Sequence, residues 1–184
     1  EELGINYFDL YASNPAVRAA VGEALKGRRE KFYIQSHICS IWKDGQYKRT
    51  RDIAQVKSGF ESMLELLQTD YLDVGMIHYC DSMADWREIA VGPVLAYALE
   101  LKRAGVIRHV GLSSHNPEVA LAAAESGHIE VLMFSVNPCY DLQPASEDVE
   151  DLWRDEAYAA PLVNMAPQRQ KLYEVCQAKG VGIT

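Results

Sequence analysis

The side chains best suited to chemistry stand where short apolar runs end. INYFD closes on Asp9, with Tyr11 two residues further on. FYIQS leads into His37 and Cys39, and YLDVGMI into His78 and Cys80. VIRHVGL leads into Ser113, Ser114 and His115, and IEVLMF into Asn137, Cys139 and Tyr140. Three of the five histidines therefore hold equivalent places, whereas His109 and His128 do not. A carboxylate gathered with imidazoles can relay protons, orient a carbonyl or ligate a metal. Each residue also has a plainer role. Asp9 can cap a loop or pair with an arginine, and His78 can be a satisfied core histidine. Ser113 and Ser114 can bond their own turns, the cysteines can be small buried hydrophobes, and Tyr11 and Tyr140 can pack at a rim. Their recurrence at one kind of position favours a shared site.

The elements that must position these residues follow from periodicity. Strands are expected at Ile5–Asp9, Phe32–Ser36, Tyr71–Ile77, Val106–Leu112, Ile129–Phe134 and Val181–Thr184. Helices fall between them. Pro15–Leu25 follows the N-cap Asn14, with Val17, Ala20, Val21, Ala24 and Leu25 at spacings of three and four. Arg51–Gln68 places Ile53, Val56, Phe60, Met63, Leu64 and Leu67 on one face. Pro93–Arg103, an Ala-rich helix capped by Asn116-Pro117, and Gln168–Lys179 complete the set. KDGQYKRT reads as a polar loop, and Asp141–Pro167 as a long loop insertion holding a short helix or two.

Alternating strands and helices imply a parallel sheet. A doubly wound sheet usually carries a Gly-rich loop after its first strand. Here DLYASNP follows instead, which favours a barrel. Strands begin about 35 residues apart, so eight units would run to about 280 residues, within the range of a (β/α)8 barrel. Residues 1–184 are therefore expected to hold about six of eight units of one α/β domain, with the first and last units missing.

Composition excludes several classes. Hydrophobic residues make up 48% and charged residues 24%, which is globular rather than disordered. A net charge of −8 argues against a nucleic-acid or anionic-membrane surface. No apolar run is long enough for a membrane span, and Glu1 opens no signal-like leader. Four cysteines without close pairs read as thiols in a reducing cytoplasm.

GINYFD, GEALKGRREKFYIQS, YLDVGMIH and LKRAGVIRHVGLSSHN, in this order, resemble the aldo-keto reductase superfamily. The resemblance implies a (β/α)8 barrel that uses NADP or NAD to reduce a small carbonyl compound or oxidise an alcohol. It places the family's aspartate at Asp9 and its carbonyl-orienting histidine at His78. Asn14 stands where the family has its proton-donating tyrosine, and His37 where it has its lysine. Met133 stands in place of a glutamine, and Ser113-Ser114 in place of the amide-binding Ser-Asn. Tyr11 or Tyr47 is then the substitute phenol that helps His37 or His78 supply the proton. Ser113, Ser114, Asn137 and Tyr140 are the expected cofactor contacts. FSVNPCYD and QAKGVGIT are similar to the subgroup with a C-terminal ferredoxin-like module, so any iron–sulfur cluster would lie outside this segment.

Two other readings compete. The replaced tyrosine and lysine suit a barrel without redox activity that binds or regulates. Asp9, His37, His78 and His115 also suit a metal-dependent hydrolase.

Overall fold

The computed structural model describes residues 3–137, 141–142, 146–155 and 167–184. In chain order the elements are β1 (Tyr7–Leu10), α1 (Pro15–Leu25), β2 (Tyr33–Ile38), β3 (Ser40–Lys43), β4 (Gln46–Arg49), α2 (Ile53–Leu67), β5 (Leu72–Ile77), α3 (Met83–Val91), α4 (Pro93–Arg103), β6 (Ile107–Ser113), α5 (Pro117–Glu125), β7 (Val131–Met133), α6 (Pro167–Lys179) and β8 (Gly182–Ile183). Six strands form one sheet in the order β1-β2-β5-β6-β7-β8, and β3 pairs with β4. The fold is α/β with parallel strands, as six successive strands of a (β/α)8 barrel require.

The chain divides into two compact units, residues 1–78 with 92–110, and residues 79–91 with 111–184. In the first, β1 and β2 pair parallel with Asp9 opposite Gln35, and β2 pairs parallel with β5 with His37 opposite Met76. All six residues of β5 are buried, which is why this strand reads as a continuous rather than an alternating apolar run. Helix α2 turns Val56, Phe60, Met63 and Leu67 inward, as the spacing predicts. Asp73 of β5 joins three strand starts. Its Oδ2 accepts from Arg29 Nη2 and from the Ile34 amide, both at 2.9 Å, and its Oδ1 accepts from Arg108 Nη1 at 2.8 Å.

In the second unit β6 and β7 pair with Ser113 opposite Met133, and β7 and β8 with Leu132 opposite Ile183. Helix α5 packs against α6, with Ala120, Ala123 and Ala124 of α5 and Leu172 and Cys176 of α6 buried.

The helix starts follow the capping chemistry. Asn14 accepts from the Ala16 amide, Asp52 from Gln55 and Asn116 from Glu118, each at 2.9 Å. Three expectations need correction. KDGQYKRT is not a loop, because it completes the antiparallel β3–β4 hairpin. Asp44 and Gly45 both have positive φ, at 53° and 77°, as a two-residue hairpin turn demands. Helix α3 was not expected between β5 and Pro93. Ser82 starts it by accepting from the Asp85 amide at 3.1 Å, and it buries Trp86 and Ile89. The buried face of α1 is Arg18, Gly22 and Leu25, while Val17, Ala20 and Ala24 point outward. Packing selects Gly22, since a Cβ there would stand 2.5 Å from the Leu66 carbonyl oxygen of α2. Within Asp141–Pro167, Val149–Trp153 forms a 3₁₀ turn, and residues 156–166 lie outside the described residues.

Candidate functional site

In the first unit the strand ends build a hydrogen-bonded chain. Asp9 lies on β1, and Gln35 and His37 lie two residues apart on β2, hence on one face. Both reach the same oxygen. Gln35 Nε2 donates to Asp9 Oδ1 at 2.9 Å, and His37 Nε2 lies 3.0 Å from it. Tyr7 holds Gln35 in place through a 2.7 Å bond from its hydroxyl to Oε1. On its other side His37 Nδ1 meets His78 Nδ1 at 2.5 Å. His37 is 2% exposed. Tyr47 of the hairpin sets its ring edge-on to His78, with centroids 5.4 Å apart. Arg51 Nη1 donates to the His78 carbonyl at 2.8 Å. Cys39 and Tyr79, directly after these two strand ends, have φ of 73° and 51°. Left-handed non-glycine residues of this kind concentrate at sites held by their surroundings.

The charges follow from these contacts. Burial pushes the Asp9 carboxyl up, but the hydrogen bond and charge of His37 outweigh it, with help from Gln35 and His78. Asp9 is therefore held below its usual value. Burial pushes the His78 imidazole down to about 3, reinforced by His37, Arg51 and Arg49 and opposed only by Asp9. His78 is thus neutral at neutral pH. A carboxylate only accepts, so His37 carries hydrogen on Nε2. The contact between the two Nδ1 atoms then holds one hydrogen. When it sits on His37, the hydrogen of His78 is on Nε2. When it sits on His78, the Nε2 of His78 is a base. Moving that proton to His78 leaves its Nε2 a base only when the Nε2 hydrogen of His78 has left as well.

The site residues expected from the sequence are distributed as follows. Asp9, His37 and His78 are brought together, and the Tyr47 ring touches His78. Tyr11 is 62% exposed, and no hydrogen bond or ring contact joins its phenol to either histidine. Asn14, in the position of the family tyrosine, spends its side-chain oxygen on the cap of α1. Gln35, Tyr7 and Arg51 were missed. For Gln35 the signal was available, because the two-residue period of β2 places it beside His37.

In the second unit Ser113 is 7% exposed, and its Oγ accepts from the Tyr79 amide at 2.7 Å. Its own O–H remains a donor, which suits the oxygen of a carboxamide. Ser114 Oγ is engaged within its loop, donating toward Asp81 Oδ1 at 3.1 Å and accepting from the Asn116 amide at 3.1 Å. The missed residue here is Asp81, 3% exposed. It accepts from the His115 amide at 2.6 Å and from His115 Nδ1 at 2.9 Å, and its carbonyl accepts from Asn116 Nδ2 at 2.8 Å. Burial pushes the Asp81 carboxyl up, but the hydrogen bonds from His115 outweigh this and lower it. Asn137 accepts the Asp141 amide on its carbonyl at 2.9 Å, and Tyr140 lies outside the described residues. Among the described residues no group of three or more His, Cys, Asp or Glu side chains could hold a metal ion.

The family description "Aldo/keto reductase family" matches residues 2–184. The chain is 30% identical over 148 residues to the uncharacterized oxidoreductase YqkF of Bacillus subtilis, covering 78% of this chain and 46% of that one. It is 33% identical over 108 residues to the methylglyoxal reductase YeaE of Escherichia coli, covering 57% of this chain and 35% of that one. The chain thus spans about half the length or less of these relatives. Among solved structures it resembles the holo form of aldo-keto reductase AKR11C1 from Bacillus halodurans, at TM-score 0.70 and 25% identity, covering 100% of this chain and 52% of that one. An aldo-keto reductase from Klebsiella pneumoniae in complex with NADPH shares the fold, at TM-score 0.60 and 17% identity, over 99% of this chain and 52% of that one. With the family description covering nearly the whole chain and these folds superposing along it, the chain belongs to the aldo/keto reductase family.

Proposed function

We propose that this protein is a nicotinamide-dependent oxidoreductase that reduces a small carbonyl compound, with the Asp9–His37–His78 chain in place of the family's tyrosine and lysine. The observation that carries this reading is the continuous hydrogen bonding from Asp9 through His37 to His78. YeaE is a methylglyoxal reductase, which makes a small dicarbonyl the first substrate to try. The Klebsiella protein binds NADPH, which makes NADPH the first cofactor to try, ahead of NADH.

The cofactor, when bound, supplies a hydride to the carbonyl carbon. Ser113 would meet its carboxamide through the hydroxyl hydrogen that remains a donor, with Ser114, Asn137 and Tyr140 as further contacts. The chain's own residues handle the proton. His78 orients the carbonyl and donates from Nε2 to the oxygen as it becomes an alkoxide. His37 returns a proton across the Nδ1 contact to His78, and its Nε2–H stays on Asp9. Asp9 accepts from His37 Nε2 and so holds the ring with its Nδ1 toward His78. Tyr47 bounds the ring of His78 and is a phenol within reach of that histidine. Tyr11 is the second candidate phenol, at the exposed rim. In the oxidation direction the same groups run backwards, with His78 Nε2 as the base.

The subgroup reading, with an iron–sulfur module elsewhere in the protein, rests on FSVNPCYD and QAKGVGIT alone. Iron analysis of the full-length protein tests it. Cys39, Cys80 and Cys176 are buried thiols outside any disulfide, which supports a cytoplasmic protein. No helix among the described residues is long and apolar enough to cross a membrane.

The test is NADPH oxidation by the full-length protein with methylglyoxal and a panel of small aldehydes. Replacing His37 and His78 together by Phe should abolish turnover while cofactor binding persists. Turnover retained in that double variant overturns the relay. Cofactor binding by the natural protein with no turnover across the panel points instead to a barrel without redox activity.

A further inference from the structure

In the first unit the β3–β4 hairpin has two faces with different work. Residues directly opposite each other on paired antiparallel strands share a face, and neighbours along a strand alternate. The register sets Ile41 opposite Lys48, Trp42 opposite Tyr47, and Ser40 opposite Arg49. Ile41 and Lys48 therefore share one face, and Trp42, Tyr47 and Arg49 share the other. The first face packs on α2, where a Cβ at Gly59 would stand 2.6 Å from Ile41 Cγ2. The second face belongs to the histidine chain, because the Tyr47 ring meets the His78 ring edge-on with centroids 5.4 Å apart. Trp42, Tyr47 and Arg49 are all exposed, so a small molecule can reach that face.

Arg49 stands one strand repeat from the tyrosine that touches His78. Arg51 follows it, and its Nη1 donates to the His78 carbonyl at 2.8 Å. The charges of both arginines act on the His78 imidazole, and against them stands Asp9, on the far side of His37. The proton-donating end of the chain is therefore cationic, in a protein whose net charge is −8. A neutral carbonyl compound makes no use of that charge on binding. A substrate with a carboxylate beside its carbonyl does, because a guanidinium meets two carboxylate oxygens with parallel N–H bonds. Positive charge close to the reacting oxygen also stabilises the alkoxide as it forms. The cross-strand pair Trp42 and Tyr47 gives the same face an aromatic surface.

We propose that Arg49 selects substrates whose reactive carbonyl is flanked by a carboxylate, so that the preferred substrate class is the 2-oxo acids. Arg51 adds charge from its place on the His78 carbonyl. The proposal rests on the oxidoreductase reading above and names the substrate class of that same site. The carboxylate sits on Arg49 while the neighbouring carbonyl oxygen faces His78 Nε2. The carbonyl carbon gains the hydride of the nicotinamide cofactor, its oxygen gains the His78 proton, and the C=O double bond becomes a single bond. The carboxylate is unchanged. A 2-oxo acid, the reduced cofactor and one proton thus give a 2-hydroxy acid and the oxidised cofactor.

The test compares pyruvate with pyruvamide, its neutral isostere, by NADPH oxidation in the full-length protein. Pyruvate should have a kcat/KM at least about tenfold higher. Arg49→Gln should lower kcat/KM for pyruvate at least about tenfold, mainly through KM, and leave pyruvamide and the KM for NADPH unchanged. Lys48→Gln removes the same charge from the other face of β4 and should change none of these. Arg49 is exposed, so its replacement leaves the packed core untouched. Oxamate, an unreactive isostere of pyruvate, gives a readout without turnover. Its binding in the presence of NADPH, followed by calorimetry, should weaken at least about tenfold in Arg49→Gln. Pyruvamide used as well as pyruvate, Arg49→Gln and Lys48→Gln acting alike, or oxamate binding that is absent or indifferent to Arg49 would each overturn the assignment. If neither carbonyl compound is reduced, the oxidoreductase reading fails. Oxamate then still decides the role of Arg49, since binding lost in Arg49→Gln supports carboxylate recognition there and binding indifferent to it overturns it.

Discussion

The burial of His78 makes stability depend on pH in a defined direction. In the folded protein burial and the neighbouring His37 push this imidazole down to about 3, and in the unfolded chain it returns to about 6.5. Between those values the unfolded chain binds the proton and the folded chain does not. Stability therefore rises with pH across the window, is fully present above about 6.5, and is lost as the pH falls below it. At pH 5 the unfolded imidazole is almost fully protonated, and the linked loss relative to pH 8 is about 2 kcal/mol. Asp9 does not confound the measurement. Its carboxyl is held below the usual value, so its own contribution fades only at more acid pH. The assay is urea unfolding of the full-length protein from pH 8 to pH 5, comparing the natural sequence with His78→Gln. The natural protein should lose about 2 kcal/mol more than the variant over that range. Parallel curves for the two proteins, or a natural protein that gains stability on acidification, would refute the placement of His78 as a buried neutral base. The same burial keeps His78 neutral at neutral pH, so in the proposed mechanism its donation is coupled to a proton returned by His37.

Three further outcomes follow from packing. Asp73→Ala removes the acceptor for Arg29, Arg108 and the buried Ile34 amide together. It should cost about 3–5 kcal/mol in urea unfolding, with Asp73→Asn recovering part of it. Gly59→Val drives side-chain atoms into Ile41 and should cost about 1–3 kcal/mol in the same assay. Asn14→Ala removes the N-cap of α1 and should lower stability by about 1 kcal/mol while leaving kcat unchanged. A large fall in kcat would show that this position still takes part in proton transfer.

Much of this organisation is legible in single stretches of chain. Asn14-Pro15 and Asn116-Pro117 begin helices because an Asx oxygen caps free amides and proline has no amide to waste. The apolar stripe of α2 repeats at helical spacing, and β5 is apolar but for Asp73 because both of its faces are covered. The hairpin was legible too. Asp44-Gly45 between IWK and QYKR is a two-residue turn signature, outweighed there by the many charges of KDGQYKRT. Those charges sit on an exposed hairpin, where charge does not oppose strand pairing. Helix α1 misled for the opposite reason. Its apolar period points to Val17, Ala20 and Ala24, but the approach of α2 selects the smallest residue, Gly22, and with it the arginine one turn earlier.

The sequence by itself determined which residues end the strands, and hence that Asp9, His37 and His78 are candidates for one site. A strand's end is set locally, by where apolar residues stop and polar ones begin. Only the tertiary structure decided how those residues connect. The parallel register sets Asp9 opposite Gln35, and the two-residue period then brings His37 to the same carboxylate. The contact between His37 and His78 needs β2 and β5 to be neighbours, although 40 residues lie between the two histidines in the chain.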